Sequence, residues 1–178
     1  MDLSRFDTMD ADELRSYLAF LLWHYRVMDS FWFLYVVDEY SQEAAEELNE
    51  RVWARVSGLA ARDLLSRFKI TEKGLKGFVE VLRVYPWTLL LEYEIAESPD
   101  EIVLTVPCCA TQEARRNRGL PEYECKEMHR REFESIAGQV DSGIQVHCDF
   151  APPGERPVGF DCRWRFRMGA TTRPAGEP

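Results

Sequence analysis

Asp10 stands ahead of apolar positions that recur every three or four residues as far as about Tyr25, the pattern of one helix face behind an acidic N-cap. After a break expected near Met28 and Asp29, the run SFWFLYVVDEY is apolar on most sides and predicts a second, central helix. Ser41 then caps a long helix, with Glu43, Glu46 and Glu47 near its positive end and Ala45, Leu48, Val52, Val56 and Leu59 along one side. Gly58 predicts a weak point in that helix, and the shifted stripe Leu64, Leu65 and Phe68 predicts a bend. Thr71 caps a further helix that turns Leu75, Phe78, Val79 and Leu82 inward and stops at Pro86.

Beyond Trp87 the period falls to two. TLLLEYEIAE and EIVLTVP flank the turn Ser98-Pro99-Asp100 and predict an antiparallel hairpin. GIQVHCDF and FDCRWRFRM, around a Pro- and Gly-rich loop from Ala151 to Gly159, predict another. Two short helices fit between them, one after Thr111 ending near Gly119 and one from about Glu127 to Gly138. The expected fold class is α+β: a helical N-terminal half, residues 1–86, packed on a four-stranded antiparallel sheet made of two hairpins, residues 87–168. Residues 1–168 form one domain in this reading. The polar end GATTRPAGEP, residues 169–178, has nothing to bury and is expected to be a disordered tail.

Charge removes some functions. Residues 1–50 carry 12 acidic and 3 basic side chains, whereas the rest of the chain carries 19 of each. That distribution offers no continuous basic surface, and Arg115, Arg116 and Arg118 alone do not make one, so nucleic acid is not an expected partner. Arg15, His24, Arg26 and Asp29 interrupt the apolar stretch from Leu14 to Val37, which argues against a membrane span. An odd count of five cysteines and a polar, acidic start point to a reducing, cytoplasmic location with free or metal-bound thiols.

All five cysteines lie after residue 107. Strand alternation turns Ile144, Val146, Cys148 and Phe150 to one face, and Phe160, Cys162, Trp164, Phe166 and Met168 to the matching face of the partner. A symmetric loop sets Phe150 opposite Phe160 and Cys148 opposite Cys162, close enough to share a metal ion. Counting on from Ile102, Leu104 and Val106 favours Cys108 over Cys109 as a third ligand, and Cys125, just before a helix, is the fourth. Four thiolates suit zinc first and an iron–sulfur cluster second. No CxxC pair supports this, and buried cysteines acting as small apolar side chains are the competing explanation.

The segment from Thr105 to Met168, ending in the Cys162-Arg163-Trp164 and Phe166 pattern after Gly159, resembles the 4-vinyl reductase domain. It is also similar to the L-2-amino-thiazoline-4-carboxylic acid hydrolase family. SFWFLYVVDEY, LNERVW, YPW and CATQEARRNRGLPEYECK resemble an uncharacterised bacterial and archaeal family, over residues from about 20 to 168. The 4-vinyl reductase resemblance implies a small hydrophobic or aromatic ligand and zinc on cysteines around the last two strands, here Cys125, Cys148 and Cys162. Gln145 stands where some relatives have an acidic ligand, and Cys108 takes that role.

The remaining candidates are a ligand pocket and its polar groups. His24, Trp32, Asn49, Trp53 and Trp87 are expected to line a pocket on the helical half, His24 as a base or donor and Asn49 with Trp53 for a ligand's polar end. His129, near Cys125, is a reserve ligand. The sequence thus predicts a small-molecule-binding domain with a cysteine-held structural or regulatory metal. An alternative is a thiolate-dependent hydrolase of a small amidine or amide, its thiol activated by Arg115 or Lys126. A structural protein with buried free cysteines is another, and a homodimer is compatible with all three. Whether there is catalysis, and at which residues, is left open.

Overall fold

The computed structural model describes residues 2–169, and in them the change of period at Trp87 separates helices from strands as expected. The fold is α+β, with a four-stranded antiparallel sheet. The chain divides into two compact units, residues 1–45 and 46–178. Of the expected tail, all but Gly169 lies outside the described residues.

The first unit is built on α1, Ala11–Glu39. Asp10 Oδ1 accepts the N–H groups of Asp12 (2.8 Å) and Glu13 (2.9 Å), and Glu13 Oε2 accepts that of Asp10 (2.9 Å). This capping box satisfies donors that the first helical turn leaves unpaired. The break expected near Met28 and Asp29 is absent, so one helix replaces the expected two. No Gly or Pro interrupts the segment, and Ser30 Oγ bonds back to Arg26 O at 2.8 Å without opening the helix. No residue of α1 is buried. Among the described residues, no helix is long and apolar enough to cross a membrane.

Helix α2, Gln42–Arg67, begins at Ser41, whose Oγ accepts the Ala44 N–H at 3.1 Å. It runs unbroken through Gly58, where the expected weak point is instead a contact: a Cβ there would lie 2.6 Å from Ser135 Oγ. Helix α3, Gly74–Val84, starts three residues later than Thr71, at Gly74, whose left-handed φ of +63° suits glycine. Its inner side buries Leu75, Phe78, Val79, Val81 and Leu82.

Strand β1 covers only Glu94–Glu97, shorter than TLLLEYEIAE suggested. Thr88–Leu90 is a 3-10 turn, held by Thr88 Oγ1, which bonds to Leu82 O and to Tyr85 O. After the Ser98 turn come β2, Glu101–Val106; α4, Ala110–Asn117; α5, Lys126–Val140; β3, Ile144–Phe150; and β4, Cys162–Met168. The sheet order is β1-β2-β4-β3, so the last strand lies inside the sheet between β2 and β3.

The register corrects one expectation. Cys148 faces Trp164 instead of Cys162, and Cys162 faces Val106 of β2. A bulge between Cys148 and Phe150 and a late start of β4 slide the hairpin by two residues, an even number that leaves each side chain on its predicted face. The inner face carries Trp164 and Phe166, both fully buried, against Phe133 of α5 and Phe78 of α3. Ring centroids lie 4.6 Å apart for Phe78–Phe166 and 5.3 Å for Phe133–Trp164, and each buried ring contributes about 1.5–3 kcal/mol of transfer free energy. On the outer face Arg165 and Arg167 pair with Glu101, and Arg165 also with Asp149.

Candidate functional site

A cavity of about 620 Å³, counting its open mouth, lies within the second unit between the inner sheet face, the start of α5 and the segment from Tyr85 to Tyr93. Trp87, Leu91, Tyr93, Phe133 and Trp164 give it apolar walls. Its polar groups come from α4, α5 and the approach to β4.

Helix geometry sets the first of these groups. Cys125, His129 and Glu132 are spaced by four and then three residues, so they share one side of α5, with Cys125 at the N-cap. His129 Nδ1 lies 2.6 Å from Glu132 Oε2. A carboxylate only accepts, so Nδ1 carries the proton, and Cys125 is near enough to the ring to act on its titration. Tyr85 OH is 2.9 Å from both Glu132 Oε1 and Ser57 Oγ; its single proton goes to the carboxylate, and Ser57 donates to it. Ser57, Tyr85 and Glu132 are all buried, which makes this a chain of satisfied polar groups reaching from α2 to the cavity.

Gln112 of α4 fixes the approach to Cys125. Its Oε1 accepts the Tyr123 N–H (3.1 Å), and its Nε2 donates to Tyr123 O (2.7 Å) and to Cys125 Sγ (3.6 Å). One amide thereby pairs with both backbone groups of Tyr123 and touches the sulfur.

Asp161 is 1% exposed and holds three elements together. Its Oδ2 accepts the Cys109 N–H at 2.6 Å and Arg116 Nη2 at 3.2 Å, its Oδ1 forms an ion pair with Arg156 Nε at 2.5 Å without hydrogen-bond geometry, and its own N–H donates to Val106 O at 2.8 Å. The buried carboxylate is therefore compensated by two guanidinium groups that remain partly in water.

Electrostatics separate the titratable groups. Burial works against a charged His129, but its bonds to Cys125 and Glu132 outweigh that and hold the imidazole well above its ordinary value. The ring is deep in the fold yet lines the cavity, and 27% of its side chain stays accessible. Burial raises the Cys162 thiol strongly, with Cys125, Cys109 and Cys148 adding to it. Burial likewise pushes Cys148 up to about 11 and raises Cys109. Cys108 is raised too, by what burial it has and then by Glu113 and Asp161.

Of the expected ligand set, Cys125, Cys148 and Cys162 lie near enough to act on one another electrostatically, and Cys109 joins them where Cys108 was expected. Cys125 is buried, Cys148 and Cys162 are partly exposed, and Cys108 is on the surface. Strand β2 ends at Val106, so the alternation that favoured Cys108 stops before reaching it, and Cys109 turns to the cavity. Among the described residues, no three His, Cys, Asp or Glu side chains are placed to hold one metal ion.

The expected pocket residues are dispersed. Trp87 lines the cavity. Trp53 is buried edge-on to Trp87, with centroids 5.5 Å apart, and Asn49 Nδ2 donates to Tyr123 OH at 2.6 Å. Neither is among the residues that line the cavity. His24, stacked on Phe20, and Trp32, 69% exposed, belong to α1 in the other unit. Cys109, Gln112, Glu132, Asp161 and Tyr85 were missed; for Glu132 a signal existed in its spacing from Cys125 and His129.

No curated protein matches the chain. A family model matches residues 9–168, which is most of the sequence and includes every residue of the cavity. The chain belongs to the family of unknown function DUF6125.

Proposed function

We propose that the second unit binds one small, uncharged, predominantly aromatic or aliphatic molecule in the cavity beside Cys125 and His129. The observation that carries this reading is the cavity itself, a largely apolar recess into which a few polar side chains converge, the usual form of a small-molecule site. Its charges favour a neutral ligand. Asp161 is matched by Arg116 and Arg156, and Glu132 by His129 and Tyr85, so apolar contact dominates selection. The resemblance to 4-vinyl reductase domains agrees with a hydrophobic ligand of this size. A reducing, cytoplasmic setting suits five unpaired thiols.

Titration with the neutral fluorophore N-phenyl-1-naphthylamine tests the reading. We expect saturable binding at one site per chain, quenching the emission of Trp87 and Trp164. Leu91→Trp, which places an indole at the cavity wall, is expected to weaken binding at least about tenfold, a loss of about 1.4 kcal/mol. Unsaturable uptake, or equal affinity in the variant, would contradict the proposal.

A further inference from the structure

Three cysteines, Cys109, Cys125 and Cys162, line the cavity, and only Cys125 has the partners of a nucleophile. Cys125 is followed one turn along α5 by the His129 imidazole and then by the carboxylate that orients that imidazole, with His129 Nδ1 and Glu132 Oε2 2.6 Å apart. All three side chains line the same apolar cavity. We propose that Cys125 is a catalytic nucleophile that takes the acyl group of a small uncharged ester or thioester, with His129 as proton carrier and Glu132 as its positioning residue. The proposal rests on the cavity being a ligand site, and it adds a reaction to that site.

The surroundings suit acyl transfer. A thiol, a base within hydrogen-bond reach and a third group that orients the base are the common elements of covalent catalysis on carbonyl carbon. Cys125 stands at a helix N-terminus that no side chain caps, where the first-turn N–H groups favour negative charge. Gln112 Nε2 presents an amide N–H 3.6 Å from the sulfur, the type of donor that stabilises an oxyanion on an attacked carbonyl. Its contacts with Cys125 and Glu132 hold the His129 imidazole raised, as suits a ring that carries a proton to a leaving group. Cys109, Cys148 and Cys162 have no comparable base, and burial keeps each of them a thiol.

The steps balance with water as the only co-reactant. The Cys125 thiolate adds to the carbonyl carbon and forms a C–S bond. The bond to the leaving oxygen or sulfur breaks, and that atom takes the proton held by the His129 imidazolium. Water then attacks the thioester while His129 removes its proton. The C–S bond breaks, and acid is released with thiolate and imidazolium restored.

The test uses p-nitrophenyl acetate, a small neutral activated ester, on the full chain. We expect a burst of about one p-nitrophenolate per chain and one acetyl group, mapped by peptide mass to Cys125. Cys125→Ser and His129→Gln are expected to slow acylation by about 10²-fold or more, while Cys108→Ser leaves it unchanged. The wild-type rate is expected to vary little between pH 6 and 8, whereas an unassisted thiol reacts roughly tenfold faster per unit over that range. The pH profile needs no variant, so a misfolded substitution does not spoil it. Acetylation at Cys108, a tenfold-per-unit profile, or no burst from a chain that still binds N-phenyl-1-naphthylamine would overturn the nucleophile and leave the cavity's reading standing. A folded chain that neither binds the probe nor gives a burst would overturn both.

Discussion

Gly77→Ala will lower the stability of the second unit by about 3 kcal/mol or more, the upper end of the range for overpacking, because its new methyl meets backbone. A Cβ at Gly77 would lie 2.1 Å from Glu72 O and 2.7 Å from Glu72 C, with Val140 Cγ1 at 3.1 Å. A flexible side chain could swing aside, but a carbonyl leading into α3 moves only with the chain. Helix α3 carries Phe78 against Phe166, so the displacement spreads to the core under the cavity. At about 2–4 °C per kcal/mol for a chain of this size, thermal melting should fall by roughly 6–12 °C. Gly138→Ala is the matched control: it also lies in a helix, and nothing stands within 4 Å of its Cβ. That substitution should be neutral or raise stability by about 0.5–1 kcal/mol. Equal melting of the two variants would refute the close approach at Gly77.

His129→Ala should cost about 3 kcal/mol near neutral pH, because it leaves the 2%-exposed Glu132 carboxylate without its cation. The pH dependence has a definite sign. The folded-state imidazole is held above its unfolded value of 6.5, so its contribution is complete below pH 6.5 and is lost as pH rises through the raised value. Urea unfolding of the wild type should therefore give decreasing stability from pH 6 to 8.5, with the His129-dependent part of the decline missing in His129→Gln. Raised thiols add to the decline near pH 8.5 with the same sign, and the comparison with His129→Gln separates the imidazole's part from theirs. A wild-type stability that rises with pH by an amount His129→Gln abolishes would contradict the assignment.

The sequence revealed what depends on local order. The capping box at Asp10 and the turn at Ser98 are set by near neighbours and are found where the residues placed them, whereas the first strand after Trp87 begins only at Glu94. The core faces of β3 and β4 survive even though the hairpin slides by two residues, since an even slip keeps every side chain on its side of the sheet. Partners across strands do not survive such a slip, which is why Cys148 meets Trp164 and the thiol pair expected for a metal is absent.

The choice between Cys108 and Cys109 turned on where β2 ends, and alternation cannot locate an end. The site itself was half legible. Cys125, His129 and Glu132 sit at helical spacing in plain view, but the acid gains meaning only through Tyr85 and Ser57, 47 and 75 positions earlier in the chain. Asp161 looked like the polar alternate of a strand. It proves to be a buried anchor because the turn before β4 folds it inward between Arg116 and Arg156.

The most direct measurement of the central claim is the order in which the five thiols react with iodoacetamide at pH 6.5 in the folded chain, read by peptide mass. The account predicts that Cys125 is alkylated first, that saturating N-phenyl-1-naphthylamine protects it, and that surface Cys108 reacts more slowly despite its exposure. Modification of Cys108 first, with Cys125 inert until urea unfolds the chain, would contradict it.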